Sequence, residues 1–227
     1  MTPPKPIIIA IDGPAAAGKT TIARALAARL GFVHIDTGAM YRAVALWALR
    51  AGVSCDDTLR LEVLAREASI EFGPAGTVLL NQQDVTSEIR TPEVTDAASR
   101  VSRIPAVRRA LREHQRRIAQ TQSVVMEGRD VGTVVFPDAQ IKVFLDADLG
   151  IRAGRRAAEI GGHAEALASE IAQRDDRDRT RAEAPMVQAP DAEYIDTTLL
   201  TPLEVEEAIL QLVRGRTSNG KEHRTTH

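Results

Sequence analysis

Gly13, Gly18, Lys19 and Thr20 stand at the four fixed places of the pattern G-x-x-x-x-G-K-[ST], a spacing suited to holding phosphate. Across Gly13, Pro14, Ala15, Ala16, Ala17, Gly18, Lys19, Thr20 and Thr21, the glycines let backbone N–H groups turn toward an anion. The helix that must follow adds the partial positive charge of its N-terminus. Lys19 is predicted to reach the β and γ phosphates of a nucleoside triphosphate, and the Thr20 hydroxyl to bind Mg²⁺. The flanking stretches agree. Pro6-Ile7-Ile8-Ile9-Ala10-Ile11 is a β-branched apolar run of the kind that forms a buried parallel strand. In residues 21–30, Ile22, Leu26 and Leu30 define an amphipathic helix stopped by Gly31. The bland alternative, a Gly/Ala-rich turn that binds nothing, gives Lys19 and Thr20 no reason to be there.

Further polar clusters follow other apolar runs. After the short run 32–35, Asp36-Thr37-Gly38 can cap a helix beginning near Ala39, with Tyr41 and Arg42 in its first turn. Arg42 is a candidate for a second phosphate, against the alternatives of a solvated face for it and a simple cap for Thr37. Thr91-Pro92-Glu93 opens a helix presenting Ser99 and Arg103, and the next helix, 106–121, carries Arg108 in its first turn. The strand 123–126 delivers Glu127-Gly128-Arg129-Asp130, too polar a turn for burial without a ligand. Arg129 and Asp130 are read as ligand contacts, while a metal-holding role for Glu127 or Asp130 stays open. After the strand 141–146, Arg152, Arg155 and Arg156 share one helical face. Gly161-Gly162-His163 forms a joint, and Arg174, Arg177, Asp178 and Arg181 make a stripe on the second helix. Two such helices can be a lid closing on a triphosphate, or two salt-bridged surface helices.

Strands alternating with helices predict an α/β fold with a parallel sheet, whose ligands sit at the carboxyl ends of its strands. Residues 69–85 read instead as a small antiparallel meander, an insertion able to fold over an acceptor site. The chain ends in a strand at 194–196, a helix over 201–213 and a tail, 215–227, predicted to be disordered. The 227 residues, 44% hydrophobic, suffice for one core with an inserted subdomain or lid. A net charge of −2 gives no whole-molecule field toward nucleic acid or membrane, although arginine outnumbers lysine 25 to 4. Cys55 is the single cysteine, excluding an intrachain disulfide, and Met1 to Pro6 hold no apolar leader segment. A cytoplasmic monomer is expected.

Asp12-Gly13-Pro14 through Thr20, then Asp36-Thr37-Gly38-Ala39-Met40-Tyr41-Arg42, then Glu127 through Pro137, and Arg174-Asp175-Asp176-Arg177-Asp178 resemble the bacterial cytidylate kinases. The likeness runs from about residue 6 to 213. It implies a P-loop nucleoside-kinase fold, a parallel sheet flanked by helices, with the antiparallel insertion over the acceptor site and a helical lid. Core segments would be 6–58, 104–150 and 182–213, the insertion 59–103 and the lid 151–181.

The resemblance also implies transfer of the γ-phosphoryl group of ATP to CMP or dCMP, with Mg²⁺. Thr37, Ser99, Arg108 and Asp130 would face the base, with Tyr41 in the same site. Arg42, Arg129 and Arg181 would hold the acceptor phosphate, and Arg174 and Asp178 the sugar. Lys19, Arg129, Arg155, Arg156 and Arg181 would act on the moving phosphoryl group. Thr37 and Glu127 depart from the family's usual Ser and Asp without losing a functional group. A nucleotide acceptor is already ionised, so no general base is needed and His34 and His163 can be bland. A kinase for another acceptor and a nucleotide-driven switch are the competing readings. The sequence has no Asn-Lys-x-Asp guanine signature.

Overall fold

The computed structural model describes residues 6–222. Its centre is β1 (Ile8–Asp12), paired in parallel with β6 (Val124–Gly128) on one side and β7 (Ile141–Asp146) on the other. Ile9 lies opposite both Val125 and Ile141 and is fully buried. A strand covered on both faces has no polar side to alternate, which is why these segments read as continuous apolar runs. β2 (Val33–Asp36) adds to β6 and β8 (Glu193–Asp196) to β7, giving the all-parallel order β2-β6-β1-β7-β8.

Parallel neighbours require crossovers, and helices supply them on both faces. α1 (Lys19–Leu30) and α8 (Pro202–Glu222) bring Ile22, Leu26 and Ile209 against Ile9, Ile11 and Val143. The opposite face carries α2 (Thr37–Arg50), α3 (Thr58–Glu67), α4 (Pro92–Val101) and α5 (Pro105–Ile118). There Met40, Val44, Leu61, Val94 and Leu111 join Ala10, Ile35 and Met126 in one apolar cluster. α2 starts at Thr37, earlier than predicted, because Asp36 is its cap and accepts from the Ala39 N–H at 3.0 Å.

The insertion forms an antiparallel sheet of β3 (Ile70–Phe72), β4 (Val78–Leu80) and β5 (Gln83–Asp84). Ile70, Val78 and Leu80 belong to the same cluster as α2, so the insertion is packed into the core. Ile70 and Phe72 line a cavity with Val33 and Ile118, beside the β2 edge. α6 (Leu149–Ile160) and α7 (Ala164–Thr180) are joined through Gly161 and Gly162, whose φ angles of 76° and 103° suit glycine.

One expectation is corrected. From Gly215, predicted to begin a disordered tail, α8 continues to Glu222. No proline interrupts this stretch, and Arg216 Nη1 donates to the Gln140 carbonyl at 3.0 Å, tying the helix to the loop before β7. Residues 223–227 of the predicted tail lie outside the described residues. Among the described residues, no helix is long and apolar enough to cross a membrane.

Candidate active site

The phosphate-binding loop joins β1 to α1, and its shape is set by backbone crowding. Gly13 has φ 145°, and a Cβ there would lie 1.9 Å from the Leu145 carbonyl oxygen. Ala16 (φ 60°) and Gly18 (φ 89°) are left-handed, a turn geometry that makes anion-binding concavities. Lys19, only 6% exposed, donates Nζ to the Pro14 carbonyl at 2.5 Å. Burial first, then the charge of Arg129, pushes its ammonium down to about 7. The charges of Glu127 and Asp175 oppose this fall without cancelling it.

Thr20 Oγ1 donates to Glu127 Oε2 at 2.9 Å, and Glu127 Oε1 lies 3.0 Å from His34 Nε2. Of the two carboxylates left open by the sequence, Glu127 is therefore the one beside the loop. A hydroxyl and a buried carboxylate suit Mg²⁺, which takes few protein oxygens and completes its shell with phosphate and water. Among the described residues, no group of three or more His, Cys, Asp or Glu side chains could hold a metal ion. Thr20 and Glu127 fit the ion that the resemblance implies because it needs few protein oxygens.

Opposite Thr20, the loop after β6 and the helices around it gather arginines. Arg108 Nη2 donates to Asp130 Oδ2 at 2.7 Å, Nη1 donates to the Ser102 carbonyl, and the guanidinium lies 5.5 Å from the Tyr41 ring centre. Burial pushes the Tyr41 phenol up to about 12, so it stays neutral. Arg181 Nη2 lies 3.4 Å from Asp130 Oδ1, and its Nη1 lies 3.5 Å from Asp178 Oδ1. Arg129 Nε donates to Asp178 Oδ2 at 2.9 Å, and Arg42 Nη2 to Asp36 Oδ2 at 2.7 Å. Burial opposes the Asp178 charge, yet Arg129, Arg174 and Arg181 together hold its carboxyl below the usual range. Burial, then Arg129, brings Arg174 down to about 10.

This cluster is rich in cation and short of acceptor. Arg42 Nε and Arg108 Nε are buried without a hydrogen-bond partner among the described residues, and Arg181 Nη2 has only its 3.4 Å ionic contact with Asp130. Buried donors are nearly always paired, so these guanidiniums keep donor capacity for an anionic ligand beyond their carboxylate partners. Two other predicted contacts are engaged differently. Thr37 Oγ1 donates to the Glu127 carbonyl at 2.7 Å, in a space so tight that a Cβ on Gly128 would come within 2.6 Å of it. Ser99, partly buried on α4, accepts at its carbonyl from the Ser102 hydroxyl.

The structure separates the three arginines of α6 that share a face in the sequence. Arg152 donates Nη1 to the Ala15 carbonyl at 3.0 Å and pairs with Asp175, reaching the phosphate loop. Arg155 holds the Thr197 hydroxyl at 3.0 Å and its carbonyl at 2.6 Å, one contact removed from the loop, since Thr197 Oγ1 donates to the Ala17 carbonyl at 3.3 Å. Arg156 pairs with Glu159 on its own helix at 2.8 Å.

Sequence reasoning gave no role to three groups, Asp12, His34 and Asp175. Asp12, 5% exposed, accepts the backbone N–H groups of Val131 at 2.8 Å and Gly132 at 2.7 Å. Burial outweighs those bonds and raises its carboxyl to about 6. An acid ending an entirely apolar strand was the available signal. His34 on β2 reaches Glu127 on β6 diagonally, because the register sets Val125 opposite His34 and Glu127 opposite Asp36, a contact invisible without that register. Asp175 was hidden in an acidic and basic run that reads as a solvated face, yet it is 1% exposed.

Comparison with known proteins identifies the family. The family model described as cytidylate kinase matches residues 9–215. The cytidylate kinase of Solibacter usitatus (strain Ellin6076) is 57% identical, over 97% of this chain and 98% of its own length. That of Geobacter sp. (strain M21) is 47% identical over 94% and 95% of the two chains. A bifunctional pantoate ligase/cytidylate kinase of Synechococcus sp. (strain JA-2-3B'a(2-13)) is 44% identical, this chain spanning 41% of its length. Among solved structures, an uncharacterized protein from Eubacterium ventriosum ATCC 27560 shares the fold, with a TM-score of 0.56 and 12% identity over 92% of this chain and 98% of that one. With the family model covering nearly the whole chain and relatives this similar end to end, the chain belongs to the cytidylate kinase family.

Proposed function

We propose that the protein transfers the γ-phosphoryl group of ATP to CMP or dCMP, giving ADP and CDP or dCDP. The observation that carries this reading is the set of orphaned, buried guanidinium donors beside a separate phosphate-binding loop. One such site suits a donor triphosphate, and the other an acceptor monophosphate.

The roles follow from chemistry. The loop from Gly13 to Thr21 holds the ATP phosphates, with Lys19 leaving the Pro14 carbonyl for them. Arg42, Arg129 and Arg181 bind the acceptor phosphate, Arg174 and Asp178 the sugar. Asp130 accepts from the cytosine amino group, within a pocket completed by Thr37, Tyr41, Ser99 and Arg108. The acceptor oxygen is already ionised near neutral pH, so no side chain has to remove a proton. Catalysis then rests on in-line alignment and on neutralising charge on the moving group, the work of Lys19, Arg129 and Arg181. Arg155 and Arg156 join them only by giving up Thr197 and Glu159. Thr20 and Glu127 would hold Mg²⁺, which when bound adds neutralising charge between the phosphates.

In this reading the chain is a single kinase domain, with the insertion at 59–103 serving the acceptor and the lid at 151–181 excluding water. It works as a cytoplasmic monomer on two soluble nucleotides. The test is an ADP-release assay with ATP and Mg²⁺, offering CMP, dCMP, UMP, AMP and GMP in turn and identifying products by chromatography. Formation of CDP and dCDP with little purine product supports the proposal. Release of ADP without a phosphorylated acceptor refutes it.

A further inference from the structure

Ala15 of the phosphate-binding loop is held at both of its backbone polar groups by the lid. Its N–H donates to Asp175 Oδ1 of α7 at 2.9 Å, and its carbonyl accepts from Arg152 Nη1 of α6 at 3.0 Å. Arg152 Nη1 and Asp175 Oδ2 also pair directly, closing a ring of three contacts. Both residues are buried, and Arg152 Nε further donates to the Ala147 carbonyl at 3.0 Å, which fixes the root of α6. Such a ring is not a surface ion pair that solvent would screen.

Its position in the loop gives it leverage. Ala15 adjoins Pro14, whose carbonyl holds Lys19, and Ala16, which is left-handed at φ 60°. Its position on α7 is equally specific. Asp175 directly follows Arg174 and stands three residues before Asp178, which binds Arg129 and lies beside Arg181. One helical turn therefore touches the donor loop and the acceptor site together. A shift of α7 at either one moves the other.

We infer that the Arg152–Asp175 pair is a positioning clamp, through which an acceptor nucleotide at Arg174 and Asp178 sets the donor phosphate loop and tightens binding of the triphosphate. This rests on the two-nucleotide reading of the site. Neither residue is a catalytic one; both act through the Ala15 backbone. Coupling of this kind is reciprocal, so the triphosphate tightens acceptor binding by the same factor.

Calorimetric titration of a non-hydrolysable ATP analogue with Mg²⁺, with and without saturating CMP, measures the coupling. The variants are Asp175→Asn and the double replacement Arg152→Met with Asp175→Leu. The double variant exchanges a buried ion pair for apolar side chains of similar size, which preserves folding while releasing Ala15. Asp175→Asn keeps an acceptor for the Ala15 N–H and weakens only the hold on Arg152. Expected is a wild-type coupling of about tenfold, falling to about one in the double variant and to an intermediate value in Asp175→Asn. The double variant's kcat should fall about 100-fold while its affinity for the analogue alone changes less than about threefold. A wild-type coupling of one, or wild-type coupling in the double variant, overturns the clamp. Loss of melting temperature and of analogue affinity with coupling intact overturns it too, since the pair is then structural. If the double variant does not fold, an unchanged factor in Asp175→Asn overturns it and a reduced one sustains it. Failure of the wild type to form CDP would instead refute the proposed reaction.

Discussion

Asp12 shows what the site costs at the scale of one residue. Its carboxyl sits at about 6 against an ordinary 3.8, because burial outweighs the two amide bonds that stabilise the charge. The folded value exceeds the unfolded one, so its contribution to stability is fully present below about pH 4 and is lost as pH rises to about 6. At neutral pH the loss is about 3 kcal/mol. In exchange, both oxygens of the ionised group hold the N–H groups that follow Arg129 and Asp130. Asp12→Asn is predicted to flatten the fall in stability between those pH values, measured by urea unfolding across the range. The same variant should raise KM for CMP, since an amide NH₂ now faces a backbone donor. An unchanged pH slope would show that another group is responsible.

At the scale of elements, the loop between β1 and α1 is locked by its neighbour β7. Gly13→Ala places a methyl 1.9 Å from the Leu145 carbonyl oxygen, forcing β1 and β7 apart. We expect a loss on the order of 2–4 kcal/mol, lowering Tm by about 5–15 °C. Gly18→Ala is the control, because no heavy atom lies within 4 Å of its added Cβ and only the left-handed backbone is penalised, by about 1 kcal/mol. Equal melting shifts would mean that crowding against Leu145 does not shape the loop. β1, β6 and β7 were legible as strands because burial on both faces leaves mostly apolar residues, with Lys142 the interruption in β7. The extension of α8 past Gly215 was not, since a polar stretch with two glycines has no apolar period and its tie to Gln140 is tertiary.

At the scale of the whole molecule, the site is assembled at the carboxyl ends of β1, β2, β6 and β7 by residues from Asp12 to Arg181. The sequence revealed which residues carry chemistry, because Lys19, Arg129 and Asp130 are out of place in apolar surroundings. It did not reveal their partners. Arg152, Arg155 and Arg156 look equivalent along one helical face, yet they meet Ala15, Thr197 and Glu159 respectively. Only the packing of α6 against the loop distinguishes them, and no local spacing encodes that.

The central claim is that two nucleotides meet in this site and that the acceptor is read as cytosine. Its most direct test is a competition, with equal CMP and UMP in one vessel and ATP radiolabelled at the γ phosphate. Label should enter CDP over UDP by at least about tenfold, because a buried group matched to an amino donor rejects a base lacking it. Asp130→Ala should bring that ratio toward one. Equal labelling of CDP and UDP by the wild-type protein, or label found only in inorganic phosphate, would contradict the account.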